Sequence, residues 1–426
     1  MSKWENPGRE FDDLGCNFIQ NKDILIIGDD ENCKRVQMRF KFLNSDIKME
    51  TNLPQYNDKN GFISNVDKIL FRLKLRKFIK MLPSDCTLIL ADNKAWMKFE
   101  KYRYVSKWLK KIGRQLGRKI YGEEEFFRND LSIYAAYVKD LVYFRDTSFI
   151  CTTVCNLNCK SCLNLNPYFK NKCHRNIDEL KKDVDAYFKC VDMVGRFHIS
   201  GGEPQLYPDL AELILYIHNN YSSKIETLAV VTNGTIIPSD KLCETLKCCN
   251  VTVEVDDYRE NVPKLKETYP KVVQKLKHYD IMLEELTAGE VWEWFEIFPP
   301  KNVIEKENTK SAIERYTKCG NPFMGLANQK LNSCCYAGFA ETAGLVKQGD
   351  DEFFDLTSFT QEKKKELVEF RLRFNKKGYT NFCRYCNGFP AINPNRVKPA
   401  IQAESLMEWN INRPYEMTMA IDAQKS

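Results

Sequence analysis

The chain lacks any apolar run approaching the length that crosses a bilayer, and its opening Met1–Asp12 is polar, unlike a secretory signal. It has little net charge: 64 Lys and Arg against 58 Asp and Glu leave +6 over 426 residues. So small an excess does not call for nucleic acid as a partner. No repeat of solenoid period is present. These absences lead to the expectation of no transmembrane segment, no secretory signal and no nucleic-acid partner. The expectation that remains is a cytoplasmic enzyme of two or three domains.

Cysteine, by contrast, is plentiful, with 17 in the chain. Without a secretory signal, that number argues for thiols and metal in a reducing compartment rather than a disulfide framework. Cys86, Cys190 and Cys243 lie in apolar-periodic stretches and read as small buried hydrophobes. Cys155, Cys159 and Cys162 are different. Three thiolates spaced by three and then two residues can ligate three irons of a [4Fe–4S] cube and leave the fourth open, whereas electron carriers supply four cysteines. The spacing by itself also permits a zinc loop or chance.

About forty residues on, Gly201-Gly202-Glu203-Pro204 follows the strand-like Arg196–Ser200 and precedes the helix-like Asp209–Asn219. Glycines let backbone approach a ligand closely, and a carboxylate there can accept from an ammonium group. Taken alone, the four residues are a turn. Together with the cysteine triplet they resemble the radical S-adenosylmethionine (SAM) enzymes over roughly residues 146–290. The resemblance implies a [4Fe–4S] cluster whose open iron takes the amino and carboxylate groups of SAM. In that family the cluster's electron cleaves a C–S bond, and the resulting 5′-deoxyadenosyl radical removes hydrogen from substrate. It further implies that Gly201, Gly202, Glu203 and Pro204 bind the SAM amino group, with Ser200, Thr232 and Asn233 on the SAM-binding rim. The residue before the third cysteine is often aromatic in the family and contacts adenine; here it is Ser161, which leaves that contact unassigned.

Strand-like segments at Ser148–Thr153, Arg196–Ser200, Thr227–Asn233, Val251–Val255 and Ile281–Leu286 alternate with helical patterns, which implies a parallel sheet. The family's fold is a partial (β/α)6 TIM-like barrel; five units are visible and the sixth has no clear place. Alternation puts His198, Ser200, Glu254 and Asp256 on the lumen side, opposite Phe197, Ile199, Val253 and Val255. Such a lumen suits a hydroxylated or charged substrate. His198, Glu254 and Asp256 are the candidate catalytic residues; the plainer alternative is rim salt links and a satisfied buried imidazole.

Toward the C-terminus, Cys319, the pair Cys334-Cys335, and Cys383 with Cys386 form a second set, with Lys330–Cys334 reading as the second strand of a hairpin begun near Phe323. Four thiolates from these places complete either a zinc site or a fully ligated [4Fe–4S] cluster. The arrangement resembles the twitch, or shortened SPASM, domain, which implies an auxiliary [4Fe–4S] cluster on Cys319, Cys334, Cys383 and Cys386, with Cys335 the alternative to Cys334.

Before residue 146, Asp23–Gly28 and Cys86–Asp92 are buried-strand patterns with the helical Tyr104–Gly117 beyond them. They suggest a small Rossmann-like α/β domain. Its turn, Gly28-Asp29-Asp30-Glu31-Asn32, lacks the second glycine of a dinucleotide fingerprint and places acids where a pyrophosphate would sit. The basic run Lys68–Lys80 reads as a core helix with a solvated lysine face, or as a membrane-surface helix. The expected division is 1–145, 146–315 and 316–426. This order resembles radical SAM proteins of bacterial surface-polysaccharide biosynthesis, as do Cys155–Phe169 and Cys386-Asn387-Gly388. It implies a sugar-derived small-molecule substrate, and a flavodoxin- or ferredoxin-like electron donor. The alternatives are a peptide maturase and a non-catalytic iron–sulfur module or sensor.

Overall fold

The computed structural model describes residues 9–43, 47–54, 65–92, 100–287, 294–297, 309–319, 321, 323–373, 378–390 and 392–404. The chain divides between Leu141 and Val142, so the expected boundary at 145/146 falls inside a strand.

In the first unit, α1 (Arg9–Gln20), β1 (Asp23–Ile27), α2 (Asp30–Met38), β2 (Lys48–Glu50), α3 (Asn65–Met81), β3 (Cys86–Leu90), α4 (Glu100–Gln115), β4 (Ile120–Gly122) and α5 (Leu131–Val138) alternate as expected. The sheet order is β2-β1-β3-β4, every pair parallel. Its core gathers Leu25, Ile27, Leu88 and Leu90 from the strands with Leu75, Ile79 and Leu109 from α3 and α4. Asp29 caps α2, accepting from the Asn32 amide at 2.9 Å. The acidic turn thus serves the helix end itself, the role of a short acidic N-cap. The outer face of α3 is not purely basic, since Ile69, Leu70 and Leu73 are exposed beside its lysines.

In the second unit, β5 (Tyr143–Thr152), α6 (Ile177–Cys190), β6 (Met193–Gly201), α7 (Leu210–Tyr221), β7 (Ile225–Thr232), α8 (Asp240–Cys248), β8 (Thr252–Asp257), α9 (Leu265–His278) and β9 (Met282–Thr287) form successive strand–helix units. Asn176 caps α6 by accepting from the Asp178 and Glu179 amides, and Leu180, Val184 and Phe188 lie buried along that helix. After α10 (Thr309–Cys319) come β10 (Gly325–Ala327), β11 (Lys330–Asn332), α11 (Cys335–Thr342), β12 (Phe353–Asp355) and α12 (Lys364–Arg371).

One eight-stranded sheet holds them in the order β12-β11-β10-β5-β6-β7-β8-β9. Strands β5 to β9 run parallel in sequence order, and β10 pairs parallel with β5 on the other side. Among the described residues no sixth barrel strand follows β9; within 294–297 only Phe295 forms a bridge, with Arg396. Strands β10 to β12, which lie beyond the expected division at 315/316, continue the same sheet. Its hairpin turns on Asn328 and Gln329, both at positive φ, the backbone of a tight two-residue turn. The buried Asp183 carboxylate on α6 holds that turn, accepting from the Asn328 and Gln329 amides at 3.0 and 2.6 Å.

Candidate active site

Strand register decides which side chains share a face. Asp146 lies opposite Arg196, Ser148 opposite His198, and Glu254 opposite Glu284. All six line one cavity of about 750 Å³, together with Ser200 and Asp256. Cys155, Cys159 and Cys162 line the same cavity, as do Gly201, Gly202, Thr232 and Asn233. Tyr258, Trp294, Phe295, Phe323, Tyr336 and Phe389 line it as well, with the Phe323 and His198 rings edge to face at 5.9 Å between centroids.

The cysteine loop sits against β6 because Gly201 and Gly202 permit it. A Cβ on Gly201 would stand 2.5 Å from the Thr152 carbonyl oxygen, and one on Gly202 would stand 2.2 Å from that of Val154. The Gly202 and Glu203 amides donate to those same two carbonyls at 2.8 Å. Any side chain at these glycines would part the loop from the strand.

Glu203 and Pro204 do not line the cavity. Glu203 is wholly buried. Its carboxylate accepts from Thr232 Oγ1 at 2.7 Å, the Asn233 amide at 2.8 Å and the Gln205 amide at 3.0 Å. Burial raises its pKa, against these three bonds. Of a carboxylate's four or so acceptor positions, about one is left for a ligand ammonium. The side chain chiefly fixes the Thr232–Asn233 rim. Asn233 passes the order on, donating to Asn156 Oδ1 at 3.0 Å inside the cysteine loop.

Burial pushes the Cys155 thiol up to about 12 and raises Cys159 and Cys162 as well. Ionisation of such thiols is coupled to metal binding. Their sulfurs already receive donors: the Leu157 amide reaches Cys155 Sγ at 3.4 Å, and Gln402 Nε2 reaches Cys159 Sγ at 3.3 Å. Gln402 comes from a stretch that clips onto the loop, where Lys160 donates to the Ile401 carbonyl and Ala403 to that of Asn158. Nothing near Gln402 in the sequence announces that contact. Among the described residues no three His, Cys, Asp or Glu side chains close on one point as ligands of a single ion do; a cube's thiolates, one to each iron, need no such convergence.

Two of the expected catalytic residues are already engaged. Glu254 is held by Arg196, whose Nε donates to Oε1 at 2.7 Å and whose Nη2 donates to Oε2, the salt link that was the plainer alternative for this residue. His198 Nδ1 lies 3.1 Å from Asp146 Oδ1. Burial works to raise Asp146, but His198 and Arg196 hold it below the ordinary carboxylate range. Asp256 is the carboxylate left poised. Burial pushes it up to about 7, with Glu254 and Glu203 adding to the effect and a bond from Tyr258 opposing it.

The tail cysteines form a second group. Cys319, Cys334, Cys383 and Cys386 line one small cavity with Arg315, Tyr336 and Arg373. Each sulfur has a donor or hydroxyl neighbour: the Phe389 amide on Cys319 at 3.2 Å, Asn321 Nδ2 on Cys334 at 3.4 Å, Thr380 Oγ1 by Cys383 at 3.1 Å, and the Gly388 amide on Cys386 at 3.2 Å. Cys335 faces the large cavity instead. Tyr336 lines both cavities.

Residues 149–280 match the family model of the Radical SAM superfamily. The strand–helix series carrying the cysteine triplet is thus a radical SAM domain, and the family uses a [4Fe–4S] cluster and SAM. An uncharacterized protein of Methanocaldococcus jannaschii is 32% identical over 143 residues, 30% of this chain and 48% of that protein. The chain therefore spans about half the length of the curated relative it matches. Among solved structures, BtrN in complex with AdoMet and 2-DOIA is similar at 14% identity, with 60% of this chain and 97% of that one covered and a TM-score of 0.37. anSMEcpe with bound AdoMet and Cp18Cys peptide is similar at 12% identity, 66% and 97% coverage and a TM-score of 0.39. SuiB of Streptococcus suis bound to S-adenosylmethionine is similar at 12% identity, 44% and 38% coverage and a TM-score of 0.26. All three are remote likenesses.

Among the described residues no helix is long and apolar enough to cross a membrane.

Proposed function

We propose that this chain removes a hydrogen atom from a nucleotide- or lipid-linked sugar in surface-polysaccharide biosynthesis, in a reaction ending in epimerisation, dehydration or oxidation. The observation that carries the proposal is the mixed lining of one cavity, where Asp146, Arg196, His198, Glu254 and Asp256 share the space with aromatic side chains and the cysteine triplet. Carboxylates and a guanidinium hydrogen-bond hydroxyls, and aromatic faces pack against the C–H face of a ring. Pockets that combine apolar walls with a few fixed polar groups orient small ligands in this way.

Cys155, Cys159 and Cys162 hold a [4Fe–4S] cluster in this reading, with SAM against Gly201, Gly202, Thr232 and Asn233. Cluster and SAM together supply a 5′-deoxyadenosyl radical. The chain's own residues position one substrate C–H bond, and holding reactants in a fixed orientation accounts for much of the rate in such reactions. Asp256, poised near neutrality, takes a proton from a substrate hydroxyl. Cys319, Cys334, Cys383 and Cys386 hold an auxiliary [4Fe–4S] cluster in a twitch-like tail, and a flavodoxin- or ferredoxin-like protein donates the electron.

The test is anaerobically reconstituted protein with reductant and SAM, assayed for 5′-deoxyadenosine with nucleotide sugars, lipid-linked sugars or peptides. Sugar-dependent formation coupled to sugar turnover supports the proposal. Coupling to peptides alone would transfer the assignment to peptide maturation, and no SAM cleavage under any condition would leave an iron–sulfur binding module.

A further inference from the structure

Arg373 stands just past the end of α12 at φ +72. Glycine is the usual residue there, because a side chain in the left-handed region is strained. An arginine kept in such a conformation calls for a reason in its surroundings. It is 8% exposed and lines the cavity of the four tail cysteines. Its Nη2 is buried with no hydrogen-bond partner. Its guanidinium carbon lies 5.4 Å from the centre of the Tyr316 ring. The other arginine at that cavity, Arg315, donates from Nη1 to the Cys386 carbonyl at 3.3 Å, and its Nε too is buried without a hydrogen-bond partner. Among the described residues no carboxylate lines the cavity that the buried Arg373 guanidinium shares with the four cysteines, whereas buried charges are ordinarily paired.

We propose that Arg373 is the counter-cation of the auxiliary cluster, and that it favours the cluster's one-electron-reduced form. This rests on the four-cysteine assignment above. Four thiolates on a [4Fe–4S]2+ core carry a net charge of 2−, and accepting one electron makes it 3−. A fixed positive charge in a low-dielectric wall stabilises the more negative state, and net charge and hydrogen bonds to sulfur are among the quantities that set cluster potentials. An arginine guanidinium stays protonated in proteins, so the charge is fixed. A raised potential makes the auxiliary cluster the better electron acceptor. Of the outcomes open to the sugar, it favours oxidation, in which a substrate radical loses one electron and one proton to give a carbonyl, the electron passing to the cluster.

The test is an EPR-monitored potentiometric titration of the full-length, iron-loaded protein, with dithionite as reductant. The cluster whose signal does not change on adding SAM is the auxiliary one. Arg373→Gln should lower its potential by at least tenfold in the reduction equilibrium, 59 mV for one electron, while Arg373→Lys stays near wild type. An unmoved potential in iron-replete R373Q overturns the inference alone. If R373Q loses its iron, R373K decides: a wild-type potential supports the inference, and loss of iron or a fallen potential overturns it. A tail that binds zinc and no iron overturns the four-cysteine reading, and the inference with it.

Discussion

Arg196 grips Glu254 with two nitrogens of its guanidinium and turns the third, Nη1, to Asp146 Oδ2 at 3.0 Å. Three strands, β5, β6 and β8, are thereby tied by one side chain on the cavity face. Arg196→Met leaves two carboxylates short of their partner, one 8% and the other 11% exposed. Breaking a buried pair costs about 3–5 kcal/mol; with Arg196 itself 25% exposed, the expected loss is about 3 kcal/mol by urea unfolding. The double variant R196M/E254L should recover part of it. A loss under about 1 kcal/mol in R196M would mean that solvent already screens the pair.

Glu203→Gln replaces an acceptor that takes three donors by an amide that turns an NH2 group toward some of them. Iron content should be unchanged. SAM affinity should fall roughly tenfold to hundredfold, the worth of a charge-assisted bond of about 1.5–3 kcal/mol. Equal SAM affinity by titration would show that the Thr232–Asn233 rim keeps its shape without the carboxylate.

Asp256 has a folded pKa near 7 against an ordinary 3.8. The native state therefore binds its proton more tightly than the unfolded chain does. Its contribution to stability is present at acid pH and declines as pH rises from about 4 to about 7. Denaturation across that window should show a fall that Asp256→Asn flattens. If Asp256 is the base, substrate-coupled turnover should rise through pH 7 in wild type, and that limb should vanish in D256N. A pH–stability curve of D256N that overlays wild type would place Asp256 among ordinary solvated carboxylates.

Cys334 and Cys335 are adjacent and face different cavities. Cys334→Ser should remove the second cluster, about four irons per chain, while Cys335→Ser retains it and alters only the wall that substrate meets. Iron analysis of the two variants separates them. Full iron in C334S with loss in C335S would reverse the choice.

The strand series was legible because period-two alternation is local, and so was the inward parity of His198, Ser200, Glu254 and Asp256. Asp146 escaped because the expected strand began at Ser148, two residues short of it. Arg196 shares parity with His198 and was there to be found; its hold on Glu254 was not, since parity tells direction and not partner. Gln402 meets Cys159 across 243 positions, a pairing that only the folded backbone creates. The same holds for the pairing of β10 with β5, because parallel pairing joins segments without any turn between them to mark the register.

The bond row between Gly325–Leu326 and Ser148–Phe149 bears on how this chain can be made. It covers what would otherwise be the open side of β5. An uncovered strand offers unpaired amides and carbonyls to any passing chain, which is the route to edge-to-edge aggregation. During synthesis the barrel strands leave the ribosome well before the segment that shields them, so the nascent protein passes through a sticky interval that favours chaperone binding. Gene fragments that end before the hairpin should be insoluble for that reason, even with every cysteine of the radical triplet in place. Losing the tail would leave that side of β5 in need of another neighbour.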